Sequence, residues 1–225
     1  MVGEARPAGA NPAWAPPSQR GWVAPHVASE FSGLGIAWIE VDGRRQRSSD
    51  QVRRRLRDVS DRFLGSQAIH MRERPIPWAY RVFFRQIGLD PDRTRTPIEQ
   101  LALERLQEGA FLSRGLPADA LTIATIETGV ALHAFDAERL NGSLCVRDSA
   151  PGETLSGHSR ELAQGTLVVA DERTPLALLF GEVAEDCEVG KGTRRIAVAA
   201  VQVNGVPQVA ADEALWIAAA AIEAS

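Results

Sequence analysis

The chain has 225 residues, of which 44% are hydrophobic and 24% charged, and its formal net charge is −4 at pH 7. This is the composition of an ordinary globular protein, long enough for one large domain or two small ones. The net charge excludes a uniformly basic protein that coats nucleic acid, but it allows a local basic face. No segment reaches the roughly 20 apolar residues of a membrane span, and the start lacks a signal peptide's pattern. We therefore expect a cytoplasmic protein with no membrane partner.

The sequence lacks the common signatures of metal, nucleotide and nucleophile chemistry. Cys145 and Cys187 are far apart and outside any CxxC motif, which favours two free structural thiols. There is no glycine-rich phosphate loop and no GxSxG turn. The histidines have no metal-ligand spacing; they are His26, His70, His133 and His158. We expect no metal and no cofactor.

The start of the chain differs in composition from the rest. Residues 1–20 are rich in Pro, Ala and Gly and predict a flexible leader, with a single domain over residues 21–225. Two strands are predicted next, over Val23–Val27 and Leu34–Val41, the second ending at the turn signal Asp42-Gly43.

Three helices are predicted in the first half of the chain, over Ser48–Gly65, Trp78–Gly88 and Thr96–Gly109. Ser49 or Asp50 caps the first, and Gly65 ends it. Arginines crowd its polar face, and a run of this kind is either a solvated surface or a phosphate-binding one. The candidates for tRNA contact among them are Arg53, Arg54 and Arg57. The aromatic stripe of the second helix favours a core position over a base-stacking platform.

The second half is dominated by short β-rich segments. Leu121–Val130 begins like a helix, but its Thr and Ile content leaves its state open. The chain then predicts an Ala-rich helix over Ala211–Ala224. Four strands lie between them: Ser143–Arg147, Thr166–Asp171, Leu176–Phe180 and Arg195–Asn204. Helices in one block and strands in another indicate the α+β class.

One segment, Ala131–Gly142, reads Ala-Leu-His-Ala-Phe-Asp-Ala-Glu-Arg-Leu-Asn-Gly, and Val146-Arg147 and Pro151–Glu153 follow it. Together they closely resemble the B3/B4 domain, the editing domain of the phenylalanyl-tRNA synthetase β subunit. Leu167–Asp171 and Pro175–Ala177 also resemble that family. The resemblance implies a layered α+β fold with a central, mostly antiparallel or mixed sheet flanked by helices. It covers about residues 21–204.

The resemblance also implies site residues. His133 matches the family His, whereas Thr122 stands where the family usually has Asn and Leu121 where it has Thr. Glu185 falls where the synthetase has a glutamate that helps to select tyrosine, and Glu182 is a rival for that position. His133 is therefore the candidate catalytic residue, and the other four are candidate substrate-binding residues. His133 has a competing structural interpretation, since a histidine in an apolar run is commonly bonded to backbone. For Asp136 we favour a helix cap.

The implied function is recognition of the 3′ end of tRNA and hydrolysis of a wrongly attached amino acid. An aminoacyl ester is activated, so an oriented water and oxyanion donors suffice without a covalent nucleophile. We therefore predict a free-standing trans-editing deacylase rather than a complete synthetase. Two alternatives stay open: a non-catalytic RNA or amino-acid binding module with the same fold, and a small-molecule hydrolase or binder.

Overall fold

The computed structural model describes residues 17–63, 70–157 and 161–224, and these form eight strands and six α-helices. The strands are β1 (Gln19–Arg20), β2 (Trp22–Val23), β3 (Gly35–Asp42), β4 (Ala131–Asp136), β5 (Cys145–Asp148), β6 (Leu167–Ala170), β7 (Pro175–Leu178) and β8 (Arg195–Gln202). The helices are α1 (Pro25–Glu30), α2 (Asp50–Arg62), α3 (Pro75–Gln86), α4 (Pro97–Glu108), α5 (Ala118–Thr128) and α6 (Gln208–Glu223). Short 3₁₀ helices span Met71–Glu73, Ala137–Arg139 and Glu185–Cys187.

The strands form two four-stranded sheets. The first has the order β1-β3-β8-β4 and is antiparallel throughout. The second has the order β2-β5-β6-β7, with β2 parallel to β5 and the other neighbours antiparallel. The α+β class predicted from the sequence is confirmed, with two sheets in place of one central sheet.

The core lies where helices cover the first sheet. β8 is apolar from Ile196 to Val201 and fully buried there, as expected for a central strand covered on both faces. The Ala-rich helix α6 packs on β3 and β8, and α5 packs against α6, α2 and β4. Small side chains such as Ala211, Ala214 and Ala218 let α6 approach the sheet closely.

Local signals account for the helix boundaries. Ser49 caps α2 by accepting a hydrogen bond from the Val52 backbone N–H. Thr96 and Glu99 form a capping box at the start of α4, and Gly109 ends that helix in the left-handed conformation. The segment that the sequence left open is the helix α5, and Gly129 ends it in the same way. Asp136 accepts from the Glu138 backbone N–H, so its predicted capping role is confirmed.

The strands near the start of the chain differ from those predicted from the sequence. The strand predicted over Val23–Val27 is wrong, because β2 ends at Val23 and Pro25 begins a helix, where its missing N–H costs nothing. β1 lies within the predicted leader, so residues 17–20 join the fold; residues 1–16 lie outside the described part of the chain. Gly65, the predicted end of α2, also lies outside it.

Within the described ranges, none of the helices combines the length and the apolar character of a membrane span.

Candidate functional site

His133 lies in the middle of β4, with its ring stacked 5.8 Å from that of Phe135 on the same face of the strand. Its side chain is buried, and the imidazole Nε2 lies 2.9 Å from the backbone oxygen of Leu179. Burial lowers the pKa of His133. A carbonyl can only accept, so Nε2 carries the proton and Nδ1 holds the lone pair of a neutral imidazole.

The strand neighbour of His133 is apolar. In the antiparallel register, Ala199 of β8 stands directly opposite the histidine. Among the described residues, no carboxylate is hydrogen-bonded to the imidazole, whose polar contact is with Leu179. His133 therefore lacks the acidic partner that orients the histidine of a triad.

Leu179 also lines a cleft of about 500 Å³. Its apolar wall comes from the end of α3, β6 and the turn after β7, and includes Phe84, Leu167 and Phe180. Phe180 is held by aromatic contacts, with its ring centroid 5.2 Å from that of Phe84 and 5.7 Å from that of Tyr80. The volume is in the range of small-molecule sites, about 300–1,000 Å³. Leu179 thus joins the cleft wall to His133.

Arg95 is the cation of this cleft. It precedes the cap of α4, is half-buried, and also lines a smaller pocket of about 260 Å³ next to Arg72 and Glu99. Arg95 is not among the residues that the sequence predicts for a site, because its place beside β6 and β7 depends on contacts between distant segments. The available local signal was its position immediately before the capping residue Thr96.

The predicted substrate-binding residues lie elsewhere. Thr122 lines a small pocket of about 90 Å³ beside Phe111, and Leu121 packs half-buried against the core. Glu185 is exposed and lines a polar depression, while Glu182 is exposed at the turn after β7. None of these four residues lines the cleft beside Leu179.

Neither the cleft nor the pockets lined by Thr122 and Glu185 bring His133, Thr122 and Glu185 together. Thr122 lies apart from His133 because α5 buries the side that carries Ile123 and Ala124. Thr122 therefore faces α4 and the loop before α5. Glu185 is fixed in a separate loop by a hydrogen bond from its backbone N–H to the Ser156 oxygen. The roles of these residues stay predictions from the resemblance.

The arginines of α2 differ in their surroundings. Arg53 is tied to the start of its own helix, through the Ser48 oxygen at 3.0 Å and the Asp50 carboxylate. Arg54 and Arg57 are exposed. At the four-residue spacing that places side chains on one helix face, each is followed by an aspartate, Asp58 and Asp61. Both signs of charge therefore share this face.

Several residues in the segments that resemble the B3/B4 domain stabilise loops. Arg147 and Glu153 form a bidentate pair with N–O distances of 2.8 and 2.6 Å, and the hydrogen bond from Arg147 lowers the pKa of Glu153. Asp171 accepts from the backbone N–H groups of Arg173 and Thr174 in a tight turn. The hydrogen bonds of these side chains hold the shape of their loops.

The described residues contain no group of three or more His, Cys, Asp or Glu side chains that could hold a metal ion. Both cysteines are free and buried, and burial raises the pKa of Cys145 to about 11 and that of Cys187 to about 12. Neither thiol is therefore poised as a nucleophile at neutral pH.

The molecule is thus a two-sheet α+β protein with an apolar cleft beside a buried, neutral histidine. Residues 79–213 match the family model of the B3/4 domain, and the chain belongs to that family. The matched range contains His133 and all of the described residues that line the cleft.

Part of the chain is similar to segments of known proteins. The phenylalanine–tRNA ligase beta subunit of Methylococcus capsulatus is 38% identical over 109 residues, which cover 47% of this chain and 13% of that protein. The beta subunits of Streptomyces avermitilis and Nitrosococcus oceani are 38% and 34% identical, over 40% and 48% of this chain. These matches cover 11% and 14% of the two relatives. The chain therefore corresponds to a small part of each ligase subunit.

Proposed function

We propose that this protein binds the aminoacylated 3′ end of a tRNA and hydrolyses a wrongly attached amino acid in trans. Membership of the B3/4 family and similarity to tRNA ligase subunits support a tRNA partner. The observation on which the proposal depends is the hydrogen bond from His133 to Leu179, which attaches a neutral imidazole to the wall of a ligand-sized cleft.

The proposed chemistry is water attack on the ester, without a covalent intermediate. Because burial lowers the pKa of His133, its imidazole is neutral near pH 7. The proton on Nε2 is bonded to the Leu179 oxygen, so Nδ1 is the atom that would accept a proton from a water molecule. General-base assistance of this kind typically contributes about a hundred- to ten-thousand-fold. Activated esters require no stronger nucleophile than an oriented water.

A single-turnover deacylation assay with a panel of mischarged tRNAs tests the proposal. Purified protein at micromolar concentration should shorten the lifetime of at least one ester, and H133A should slow that reaction about a hundredfold or more. H26Q is the matched control, since His26 is exposed, pairs with Asp148, and does not line the cleft. Unchanged kinetics in a folded H133A protein would remove His133 from the mechanism.

A non-catalytic tRNA-binding module is the second candidate. It is favoured by the apolar residue opposite His133 and by the separate locations of Thr122 and Glu185. This candidate predicts tRNA binding that weakens with salt, while every ester's lifetime stays unchanged. A small-molecule binder would instead show affinity that is largely independent of salt.

The salt dependence also tests the predicted tRNA contacts of α2. If Arg54 and Arg57 contact phosphates, the R54Q/R57Q double variant should reduce the slope of log affinity against log salt by about 1 to 2. An unchanged slope would mean that these side chains are solvated beside Asp58 and Asp61. Arg53, already bonded within its helix, is expected to contribute less.

A further inference from the structure

The smaller pocket that Arg95 lines, of about 260 Å³, lies beside α4 and is named the α4 pocket. Its volume is below the range of about 300–1,000 Å³ that is usual for drug-sized ligands, so it suits a smaller molecule. Its charged residues in the described part of the chain are Arg72, Arg95 and Glu99. Its apolar wall contains no aromatic ring and consists of Met71, Ala102, Leu103 and Leu106.

The carboxylate of Glu99 in this pocket is already fully bonded. Its Oε1 lies 2.5 Å from Arg81 Nη1 and 3.1 Å from Arg72 Nε. Its Oε2 accepts from the Thr96 hydroxyl at 2.9 Å and from the Thr96 backbone N–H at 3.2 Å. A carboxylate has about four lone-pair sites, and all four are therefore used. A cationic ligand would find no free acceptor on Glu99.

The guanidinium groups around the α4 pocket outnumber the carboxylates by one. Arg72 and Arg81 are matched by Asp92 and Glu99, since each of these arginines pairs with both acids. Arg95 is half-buried, and among the described residues it has neither an ion pair nor a hydrogen bond. A guanidinium that is partly removed from water gains from a charge-assisted pair with an anion. One negative charge from a ligand would complete the cluster.

We infer that the α4 pocket binds a small aliphatic monocarboxylate, with its carboxylate on Arg95 and its hydrocarbon chain against Leu103 and Leu106. The planar guanidinium can hold a carboxylate through two parallel N–H···O bonds. Leu106 is 52% exposed, so a hydrocarbon chain placed over it removes apolar surface from water. The site goes beyond the proposed function, because it requires neither RNA nor His133.

Two other ligand chemistries fit the pocket less well. A phosphate dianion would bring two negative charges to one unpaired guanidinium and would leave the aliphatic wall uncovered. A free amino acid would bring an ammonium group, for which Glu99 has no lone pair left. The single unpaired charge and the aliphatic wall together favour the monocarboxylate.

An NMR titration of the protein with 4-methylpentanoate tests the inference. R95Q should weaken binding about tenfold or more, because a charge-assisted contact is lost. R93Q is the matched control: Arg93 lies two residues away, is 89% exposed and does not line the pocket. It should change the affinity by less than about twofold, as for a screened surface charge. Absence of binding to wild type, or equal affinities of wild type and R95Q, would overturn the inference.

Two leucine variants locate the ligand, since Arg95 also lines the cleft beside Leu179. Of these two cavities, Leu106 lines the α4 pocket and Leu89 lines the cleft, and both side chains are exposed. L106S should weaken binding about threefold or more, because apolar contact is lost. L89S should change it by less than about twofold. The reverse pattern would place the ligand in the cleft and overturn the inference.

Three further ligands test the chemistry of the site. The neutral 4-methyl-1-pentanol should bind about tenfold more weakly than 4-methylpentanoate, and leucine, with its added ammonium, should also bind more weakly. Inorganic phosphate should compete poorly. Equal binding of the alcohol, or stronger competition by phosphate, would overturn the inference in favour of a purely apolar pocket or a general oxyanion site. Because no RNA is present, these results stand apart from the outcome of the deacylation assay.

Discussion

Arg81 of α3 and Glu99 of α4 form a buried ion pair, with 2.5 Å between Nη1 and Oε1 and side chains that are 6% and 3% exposed. Each partner has further bonds: Arg81 also donates to Asp92 at 2.7 Å, and Glu99 completes the capping box with Thr96. The hydrogen bond from Arg81 lowers the pKa of Asp92. This network fixes α3, which carries Phe84, against the start of α4, which Arg95 precedes.

Removal of one partner should be strongly destabilising. R81M leaves the Glu99 carboxylate buried beside Arg72, its remaining cation, and we expect the free energy of unfolding to fall by about 3–5 kcal/mol. Urea denaturation measures this, with R93Q as the surface control, expected to change stability by no more than about 0.5 kcal/mol. A loss below about 1 kcal/mol in R81M would contradict the buried-pair interpretation.

The parts of the fold that the sequence predicted are those with local signals. Thr96 and Glu99, three residues apart, identify the capping box at the start of α4, and Gly109 identifies its end. The strand β3 follows from its own apolar run up to Asp42-Gly43. Such elements can be predicted without knowing which segments pack against them in the folded protein. The α+β class follows from their order along the chain.

The site could not be predicted to the same extent, because its surroundings come from distant segments. The sequence places Arg81 in an ordinary amphipathic helix and does not show that it is buried. In the structure it is 6% exposed and paired with Asp92 and Glu99. The cleft joins Phe84 and Arg95 to the turn at Phe180, about 90 positions away in the sequence. The resemblance selected Glu185 by its sequence position, and sequence position does not fix which loop faces which strand.

The Asp119 carboxylate should be a main support of the loop before α5. It is 1% exposed and accepts from the Ser48 hydroxyl at 2.6 Å, the Ser113 hydroxyl at 2.5 Å and the Arg114 backbone N–H at 2.7 Å. D119A leaves these donors without their acceptor, so we expect a loss of about 3 kcal/mol in urea denaturation. D58A, on the outer face of α2, provides the comparison. Similar small losses in both variants would refute this role.

Gly21 lies at the crossing between the two sheets, and its size is required there. Its N–H donates to the Ile36 oxygen, and a Cβ at this position would be 2.3 Å from the Leu144 oxygen and 2.4 Å from Ile36 Cγ2. G21A should therefore cost about 1–3 kcal/mol through overpacking, seen as a lower melting temperature. G192A is the control, because nothing lies within 4 Å of its Cβ position. Equal melting temperatures for the two variants would show that the crossing can relax.

The burial of His133 predicts how stability depends on pH. Burial lowers its pKa in the folded protein, so the unfolded chain binds the proton more tightly, and stability rises with pH. The full stability is present above the unfolded-state pKa of about 6.5 and is lost as the pH falls from there toward the folded-state pKa. Between pH 7.5 and 5.5 the histidine should account for a loss of up to about 1.4 kcal/mol.

Urea denaturation of wild type and H133Q at the two pH values isolates this contribution. Glutamine can still donate an amide N–H toward the Leu179 oxygen but does not titrate, so H133Q should lose less stability on acidification than wild type. The remaining pH dependence of H133Q reports the contribution of the rest of the protein. Parallel losses in the two proteins would mean that His133 is protonated equally easily in the folded and unfolded states, and the neutral imidazole that the proposed hydrolysis needs would lose its physical basis.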